Sequence, residues 1–429
     1  MLFKNHQRQG SLLLLGLIFS VSVNAETLQQ AWDVAIGFDH GLKAVQENTQ
    51  ASQHQLNAAK AARLPSVSIG AGYTAMEKDP EAKVNFGGLP IQFPLAERES
   101  YSYQAMTTLP IYTGGQISSH IDAASSSLQA SRSFEAGKVL DLKLAVAETY
   151  IGVLRSSKAL EVANSHVTSL KSHGVDVANL YEQGMVSRND LLAAQVALAD
   201  AVQSSLQVAN RVDISQSAYN RLLGRQFEEA VLLDELKPEV IASSLDSLMA
   251  QAIEKRYELR VLKEQSDALS SKAGAIRAKN GPQVALSGGY AFQENEFQAY
   301  EGQWLVGVGM TWTLFDAGLI RNQASATERQ ARGLEQQYDD VLSRVTLQVR
   351  QYWLNVQETR KRLSVTEQSI SQAEENLKVN RDRYEHGLST NTDVLSAETL
   401  RTGSQYNHAN AIYDAVLARI RLKRAISDL

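Results

Sequence analysis

The sequence predicts a mainly α-helical protein with a small β part, in which one structural unit occurs twice. Two stretches of the 429-residue chain, 111–237 and 283–429, contain no proline and are rich in Ala, Leu, Gln, Glu and Ser. Proline breaks helix interiors and most of these residues favour helices, so both stretches predict very long helices. Short segments with alternating apolar residues, placed between the helices, supply the β part.

The N-terminal segment has the features of a secretory signal peptide. Lys4 and Arg8 are its basic residues, an apolar stretch follows at 12–19, and Val23-Asn24-Ala25 offers a small-x-small cleavage site. We predict that residues 1–25 form this signal, because the apolar stretch is short for a spanning helix of roughly 20 residues. An uncleaved membrane anchor is the alternative.

Composition excludes several classes of protein. The sequence contains 42 Lys and Arg residues and 47 Asp and Glu residues, which give a formal net charge of −5. A negative net charge argues against a nucleic-acid binder. The absence of cysteine excludes disulfides, thiolate metal sites and a lipid attached to an N-terminal cysteine. After the signal, no apolar run is long enough to predict a transmembrane helix. An exported chain of this kind is periplasmic, secreted or a β-barrel.

One motif, Tyr-x-x-Gly-x-x-x-x-x-Asp-x-Leu-x-Ala, occurs at Tyr181 and again at Tyr384, an offset of 203 residues. Matches further upstream have an offset of 217, so the first copy carries about 14 additional residues before its long helix. The chain is therefore predicted to be a tandem duplication with repeats at 26–240 and 241–429.

Four segments with period-two alternation are predicted to be strands. In each, apolar residues alternate with small or polar ones and aromatic residues lie near the ends, which is typical of transmembrane β-strands. Soluble hairpins with one buried face are the alternative. Four strands cannot close a barrel, and an open edge in lipid leaves backbone groups unpaired, so membrane strands would require several chains to share one barrel. The segments are 64–76, 100–110, 283–292 and 303–313.

The repeated motif also predicts local structure at two turns. Gly184 and Gly387 are suited to the positive φ that ends a helix. Asp190 and Asp393 lie where the returning helix is expected to start, which suits an N-cap and the helix dipole.

With these features the chain resembles the TolC-like outer-membrane efflux family over essentially its whole mature length. The duplication, Ala-Arg-Leu-Pro-Ser at 62–66, the turns at 113–115 and 316–318 and, above all, the two motifs carry the resemblance. It implies a homotrimer in outer-membrane lipid, with a shared 12-stranded β-barrel continued through the periplasm by long helices. It also implies an exit duct for small molecules or proteins, with no enzymatic activity and no cofactor.

The same resemblance implies that the motif loops are helix-hairpin tips at a periplasmic entrance. There they would dock a periplasmic adaptor (membrane fusion) protein that serves an inner-membrane pump of the RND, ABC or MFS type. Asp190, Tyr384 and Asp393 match positions that hold the entrance closed; the alternative makes both aspartates helix caps alone. The tip residues expected to dock the adaptor are Gly184, Met185, Val186, Ser187, Leu191, Gly387, Leu388, Ser389 and Leu395.

Two further expectations concern the gate and the outer mouth. Ser389 and Ser396 stand where some relatives carry charged groups, so the gate is expected to be looser or differently latched. The long loop at 77–99 is expected outside the cell, where its segment 86–91 covers part of the pore mouth or packs against a neighbouring loop.

No pattern predicts catalysis or a metal site. The Gly-x-Gly-x-x-Ala pattern at 70–75 is not followed by a helix, and His166 and His173 are expected on a solvated helix face. Two rival classes are a periplasmic coiled-coil scaffold or adaptor without a pore and a secreted hydrolase with helical repeats. The first would lack lipid-facing strands, and the second would need a catalytic cluster.

Overall fold

The computed structural model describes residues 25–239 and 243–429. The predicted signal peptide, 1–25, lies outside the described residues except for Ala25, and the predicted repeat boundary at 240/241 lies outside them too. Within the described ranges the chain forms eight α-helices and six strands, which confirms the predicted mainly α class with a small β part.

Two long helix hairpins form the body. Helix α3 (Gln116–Glu182) returns as α4 (Arg188–Leu223), and α7 (Leu319–Glu385) returns as α8 (Asn391–Ala425). Helices α3 and α7 each have 67 residues, a length of about 100 Å. No helix in the described part of the chain is both long and apolar enough to cross a membrane. The shorter helices are α1 (Leu28–Phe38), α2 (His40–Ala61), α5 (Leu245–Lys255) and α6 (Tyr257–Arg277).

Contacts between segments that are distant in sequence hold the helices together. Helix α6 packs against both α3 and α7, and α8 packs against both long helices. In the main core the buried Tyr150 of α3 donates its hydroxyl to the carbonyl of Asp234 at 2.8 Å. Arg424 of α8 pairs with Asp141 of α3 at 2.7 Å and with Glu258 of α6 at 2.9 Å, so one buried guanidinium joins three helices.

Four of the six strands form one antiparallel sheet in the order β1-β4-β5-β6, so β1 and β6 are its open edges. The register brings the apolar residues of all four strands to one face, because cross-strand partners share a face. On this face Tyr290 lies 5.5 Å from Trp304 and Tyr103 lies 4.5 Å from Phe292, ring centroid to ring centroid. The strands are β1 (Ser66–Ala75), β4 (Glu99–Tyr112), β5 (Gln283–Gln293) and β6 (Gly302–Thr311).

The opposite face of this sheet is small or polar apart from Met106 and Leu305. Gly70 pairs with Gln104, Gly72 with Ser102, and Ser287 with Gly307. The apolar face remains exposed in the single chain; Ile69, Trp304 and Val306 are each more than 80% accessible. The face consists of Val67, Ile69, Ala71, Tyr73, Tyr101, Tyr103, Ala105, Thr107, Leu109, Val284, Leu286, Gly288, Tyr290, Phe292, Trp304, Val306, Val308 and Met310.

The segment predicted as a long loop contains a second sheet, so that prediction is wrong for its central part. Strands β2 (Glu81–Phe86) and β3 (Leu89–Pro94) pair across Gly87 and Gly88, whose φ angles are +60° and +91°. Two consecutive positive-φ residues form the tight turn that matches the twist of a hairpin. The prolines of β3 are tolerated because an isolated two-stranded sheet consists of edge strands.

Candidate functional site

Each long hairpin turns at one copy of the repeated motif. At the first turn Gly184 has a φ of +74°, and the N–H of Met185 donates to the carbonyl of Leu180 at 2.9 Å. The second turn has the same arrangement, with a φ of +69° at Gly387. Both are Schellman turns, which use the positive φ of glycine to satisfy the last carbonyls of a helix. The predicted helix ends at the two glycines are confirmed.

The returning helices begin with capping boxes. The Ser187 hydroxyl accepts from the N–H of Asp190 at 3.2 Å, and the Asp190 carboxylate accepts from the N–H of Ser187 at 3.1 Å. Thr390 and Asp393 form the same reciprocal pair at 3.2 and 2.9 Å. The predicted N-cap role of the aspartates is therefore wrong, because the hydroxyl residues three positions earlier are the caps. The aspartates complete the box and keep their charge at the positive end of the helix.

Asp393 is held as a carboxylate by its own turn. Its Oδ2 atom accepts from the N–H of Thr390 at 2.9 Å, the Thr390 hydroxyl at 2.7 Å and the Ser389 hydroxyl at 3.0 Å. These hydrogen bonds, with the Thr390 N–H first, hold the pKa of Asp393 below its ordinary value. The Ser389 side chain, expected to alter the gate, thus supports this carboxylate within one chain.

Tyr384 lies on the inner side of the second turn and is only 8% exposed. Burial raises the pKa of its hydroxyl, and the negative charge of Asp190 raises it further. Leu191, the residue after Asp190, packs against the same apolar cluster as Tyr384, so the structure brings the two tips together. The hydroxyl has no hydrogen-bond partner in the described part of the chain. The ring packs in an apolar cluster with Val177, Ala194, Leu377, Val394 and Ala397.

A buried hydrogen-bond chain joins the two tips. His173 Nε2 of α3 lies 2.7 Å from Asn391 Oδ1 at the start of α8, and Asn391 Nδ2 donates to the carbonyl of Asp190 at 3.0 Å. His173 and Asn391 are 3% and 2% exposed. The expectation that His173 lies on a solvated face is therefore wrong, because α8 covers that side of α3.

Comparison with known proteins identifies the family. A family model described as outer membrane efflux protein matches residues 33–225 and 248–427, which together are most of the chain. The chain belongs to the outer membrane efflux protein family. Its members are efflux channels rather than enzymes, and this one is an outer-membrane exit duct that extends into the periplasm.

The efflux protein is similar to several characterised relatives over nearly its full length. Outer membrane protein TolC of Vibrio cholerae serotype O1 is 21% identical over 422 residues, which cover 96% of this chain and 92% of that protein. TolC of Escherichia coli strain K12 is 19% identical, covering 97% and 86%. Among solved structures, the outer membrane protein VceC from Vibrio cholerae has a TM-score of 0.78 at 19% identity, covering 93% and 95%. The channel CusC has a TM-score of 0.80 at 15% identity, covering 93% and 91%. These structures share the fold.

One buried charge cluster above the tips of this efflux protein was missed by sequence reasoning. Glu398 of α8 is fully buried, and its carboxylate accepts from the Ser169 hydroxyl and from the guanidinium of Arg381. Arg401 lies 3.2 Å and His166 3.8 Å from its other oxygen. Burial raises the pKa of Glu398, but the neighbouring His166, the hydrogen bond from Ser169 and the charges of both arginines outweigh it and bring the pKa to about 2.

A sequence signal for this cluster exists in α8. Val394, Ala397 and Glu398 are all buried and follow the i, i+3, i+4 spacing of a helix face that contacts a neighbour. An acidic residue on such a stripe needs a cationic partner, and Arg401 follows three positions later. Its other partners lie on α3 and α7, too far along the chain for local spacing to reveal them.

The predicted docking residues separate into two groups. Met185 and Leu388 occupy equivalent positions on the two turns and are 64% and 69% exposed. Val186 and Leu191 instead pack against the apolar cluster around Tyr384. Among the others, Gly184, Ser187 and Gly387 are exposed, while Ser389 and Leu395 are half-buried.

Proposed function

We propose that three copies of this chain form one passive outer-membrane channel, closed at the tips of its helix hairpins and opened when a periplasmic adaptor binds there. The observation that carries the proposal is the sheet: four apolar strand faces align on one side, and both sheet edges are open. A periplasmic scaffold without a pore would need neither feature.

The open edges support a shared barrel. In lipid, each unpaired backbone group costs several kcal/mol, so β1 of one copy would pair with β6 of the next. Two copies of a four-stranded sheet would give a barrel whose interior is filled by its own side chains, whereas three copies give twelve strands and leave a lumen. The small and polar face of the sheet suits a water-filled interior.

The tips support a gate at the periplasmic end. A threefold axis along the helix hairpins would gather three copies of Asp190 and Asp393 around one aperture. Their carboxylates are fixed by capping boxes, so the charge would have a defined position. Tyr384 brings to the same place a buried hydroxyl that has no partner among the described residues. We infer that this hydroxyl latches the closed state against a carboxylate of the aperture.

The exposed tips suit a protein partner. Met185 and Leu388 present large apolar side chains on turns whose backbone is fixed by Schellman bonds. Rigid turns with exposed apolar residues favour recognition by an adaptor protein, because little conformational entropy is lost on binding. The adaptor would connect the duct to an inner-membrane pump of the RND, ABC or MFS type, which supplies the energy that a passive channel lacks.

We expect the detergent-solubilised protein to be a trimer. Light scattering should give a protein mass near three chains, and an unheated sample should migrate on a denaturing gel as an oligomer that heating dissociates. A monomer by both measurements would contradict the shared barrel.

We expect the segment between β1 and β4 to face the outside of the cell. An epitope inserted beside Asp79, at the base of the β2–β3 hairpin, should bind antibody on intact cells. The matched control is the same epitope beside Met185 at a helix tip, which should bind only after the outer membrane is broken. The reverse pattern would invert the topology.

Replacing Tyr384 with phenylalanine should raise the resting conductance in planar bilayers. The hydroxyl has no hydrogen bond to any residue of its own chain at 25–239 or 243–429, so its removal should not lower the stability of the subunit. Tyr181→Phe is the matched control, because Tyr181 is the equivalent residue of the first motif and is 39% exposed. Equal conductance in wild type and Tyr384→Phe would rule out the latch.

A further inference from the structure

The β2–β3 hairpin has one face that is apolar throughout. Its cross-strand pairs are Ala82 with Phe93, Val84 with Ile91, and Phe86 with Leu89, and partners in a pair share a face. The large side chains of this face are between 43% and 76% exposed. Charged, amide and proline residues occupy the other face: Glu81, Lys83, Asn85, Pro90, Gln92 and Pro94.

The base of this hairpin is held firmly. The N–H of Leu95 donates to the carbonyl of Pro80 at 2.8 Å, which closes the ladder below the strands. Asn295, on the β5–β6 loop and only 2% exposed, donates to the carbonyl of Leu95 at 3.0 Å. An isolated two-stranded hairpin is marginally stable in water, so a fixed hairpin with an uncovered apolar face indicates a surface that another molecule covers.

We propose that the hairpins of three copies of this chain pack their apolar faces together on the threefold axis and form a lid over the outer mouth of the channel. The inference rests on the proposed trimer and adds a second barrier, distinct from the gate at the helix tips. In this lid the polar face of each hairpin points outward to water, and the apolar faces of the three hairpins contact one another at the axis.

Charged residues separate this face from the lipid-facing part of the sheet. The aromatic band ends at Tyr73 and Tyr101, and beyond it the chain carries Glu77, Lys78 and Asp79 on one side and Glu97 and Arg98 on the other. A face that entered lipid would continue the apolar surface of the strands without such an interruption. The charges therefore favour a second copy of the chain over lipid as the occupant.

The dimensions of the barrel and of the hairpin, and the position of the hairpin in the chain, are compatible with a lid on the threefold axis. A barrel of twelve strands spaced about 4.8 Å apart and tilted by about 40° has a radius of roughly 12 Å. Each hairpin strand has six residues, and such a strand spans about 20 Å, which is enough to reach the axis from the rim. The hairpin follows β1, an edge strand of the sheet, so it rises next to the neighbouring copy.

Disulfide formation in the assembled trimer tests the lid. The chain contains no cysteine, so Phe86→Cys introduces a single thiol at the apolar tip of each hairpin. Mild oxidation of intact cells should join two copies in each trimer, giving dimers on a non-reducing gel that reductant removes. Ile91→Cys should behave alike, which guards against a local effect of losing Phe86. Asn85→Cys is the matched control on the opposite face and should give no dimer.

The outcomes of this experiment distinguish failure of the proposed lid from failure of the proposed trimer. Heat-dissociable trimers in the same sample, without dimers from Phe86→Cys and Ile91→Cys, would overturn the lid and leave the channel intact. Absence of the trimer would overturn both. A fluorophore attached to the thiol of the Phe86→Cys variant that is quenched by brominated lipids in reconstituted vesicles would assign the face to lipid and likewise overturn the lid.

Discussion

Replacing Glu398 with glutamine is expected to destabilise the helix tips by about 3 kcal/mol at neutral pH. A carboxyl group whose pKa falls from 4.5 to about 2 on folding contributes roughly this free energy. The loss is confined to the region where α3, α7 and α8 meet, because Arg381 and Arg401 keep their charge there without an anion to balance it. Amide hydrogen exchange of the detergent-solubilised protein measures the effect, and exchange should quicken around Ser169 and Glu398.

The sign of the pH dependence follows from the lowered pKa. Glu398 is more acidic in the folded than in the unfolded chain, so its contribution is complete above about pH 4.5 and disappears as the pH falls toward 2. The stability difference between wild type and Glu398→Gln should therefore be constant from neutral pH down to about 4.5 and shrink below it.

The matched control is Glu375→Gln. Glu375 is an exposed glutamate of α7 with no ion pair among the described residues. Its replacement should therefore change the free energy of opening measured by amide exchange by less than about 0.5 kcal/mol. Equal exchange near Ser169 in both variants would mean that the buried ion cluster does not hold the tips together.

Replacing Asp393 with asparagine is expected to weaken the cation preference of the closed channel and its block by divalent cations. Three carboxylates near one axis concentrate cations and offer them oxygen ligands. Removing three charges from the aperture should raise the half-blocking concentration of a divalent cation on the order of tenfold. Asparagine keeps an oxygen that can accept from Ser389 and Thr390, so the capping box is preserved while the charge is lost.

Two further variants distinguish the charge of Asp393 from its role in the capping box. Asp393→Ala removes both the charge and the capping-box acceptor, at a local cost of about 1 kcal/mol, and should match Asp393→Asn in selectivity. Asp382→Asn removes another exposed aspartate of the same tip and should leave the block unchanged. If wild type and Asp393→Asn show the same selectivity and the same block in planar bilayers, Asp393 serves only the capping box of Thr390.

Residue types and their spacing predicted the long helices and the strands because nearby residues determine where such elements form and end. Proline-free stretches indicated the continuous α3 and α7, and period-two alternation located the four strands of the sheet. Gly184 and Gly387 marked the two turns because only glycine adopts positive φ at little cost. The mainly α architecture thus follows from residue types and their spacing.

Features that depend on distant partners were not predictable in the same way. His173 is buried because Asn391, 218 residues later, lies against it, and Glu398 is charged and buried because Arg381 and Ser169 meet it from two other helices. The β2–β3 hairpin was different, since its Gly-Gly turn and alternation are local signals. Its prolines argue against the interior of a sheet, but an edge strand accepts them.

Ion current through the purified protein in a planar lipid bilayer tests the central claim most directly. A passive duct that is closed at its helix tips should give discrete, small, cation-preferring current steps for wild type. A trimeric preparation that inserts into the bilayer and yields no current steps, in wild type or in Tyr384→Phe, would contradict the channel and favour a scaffold.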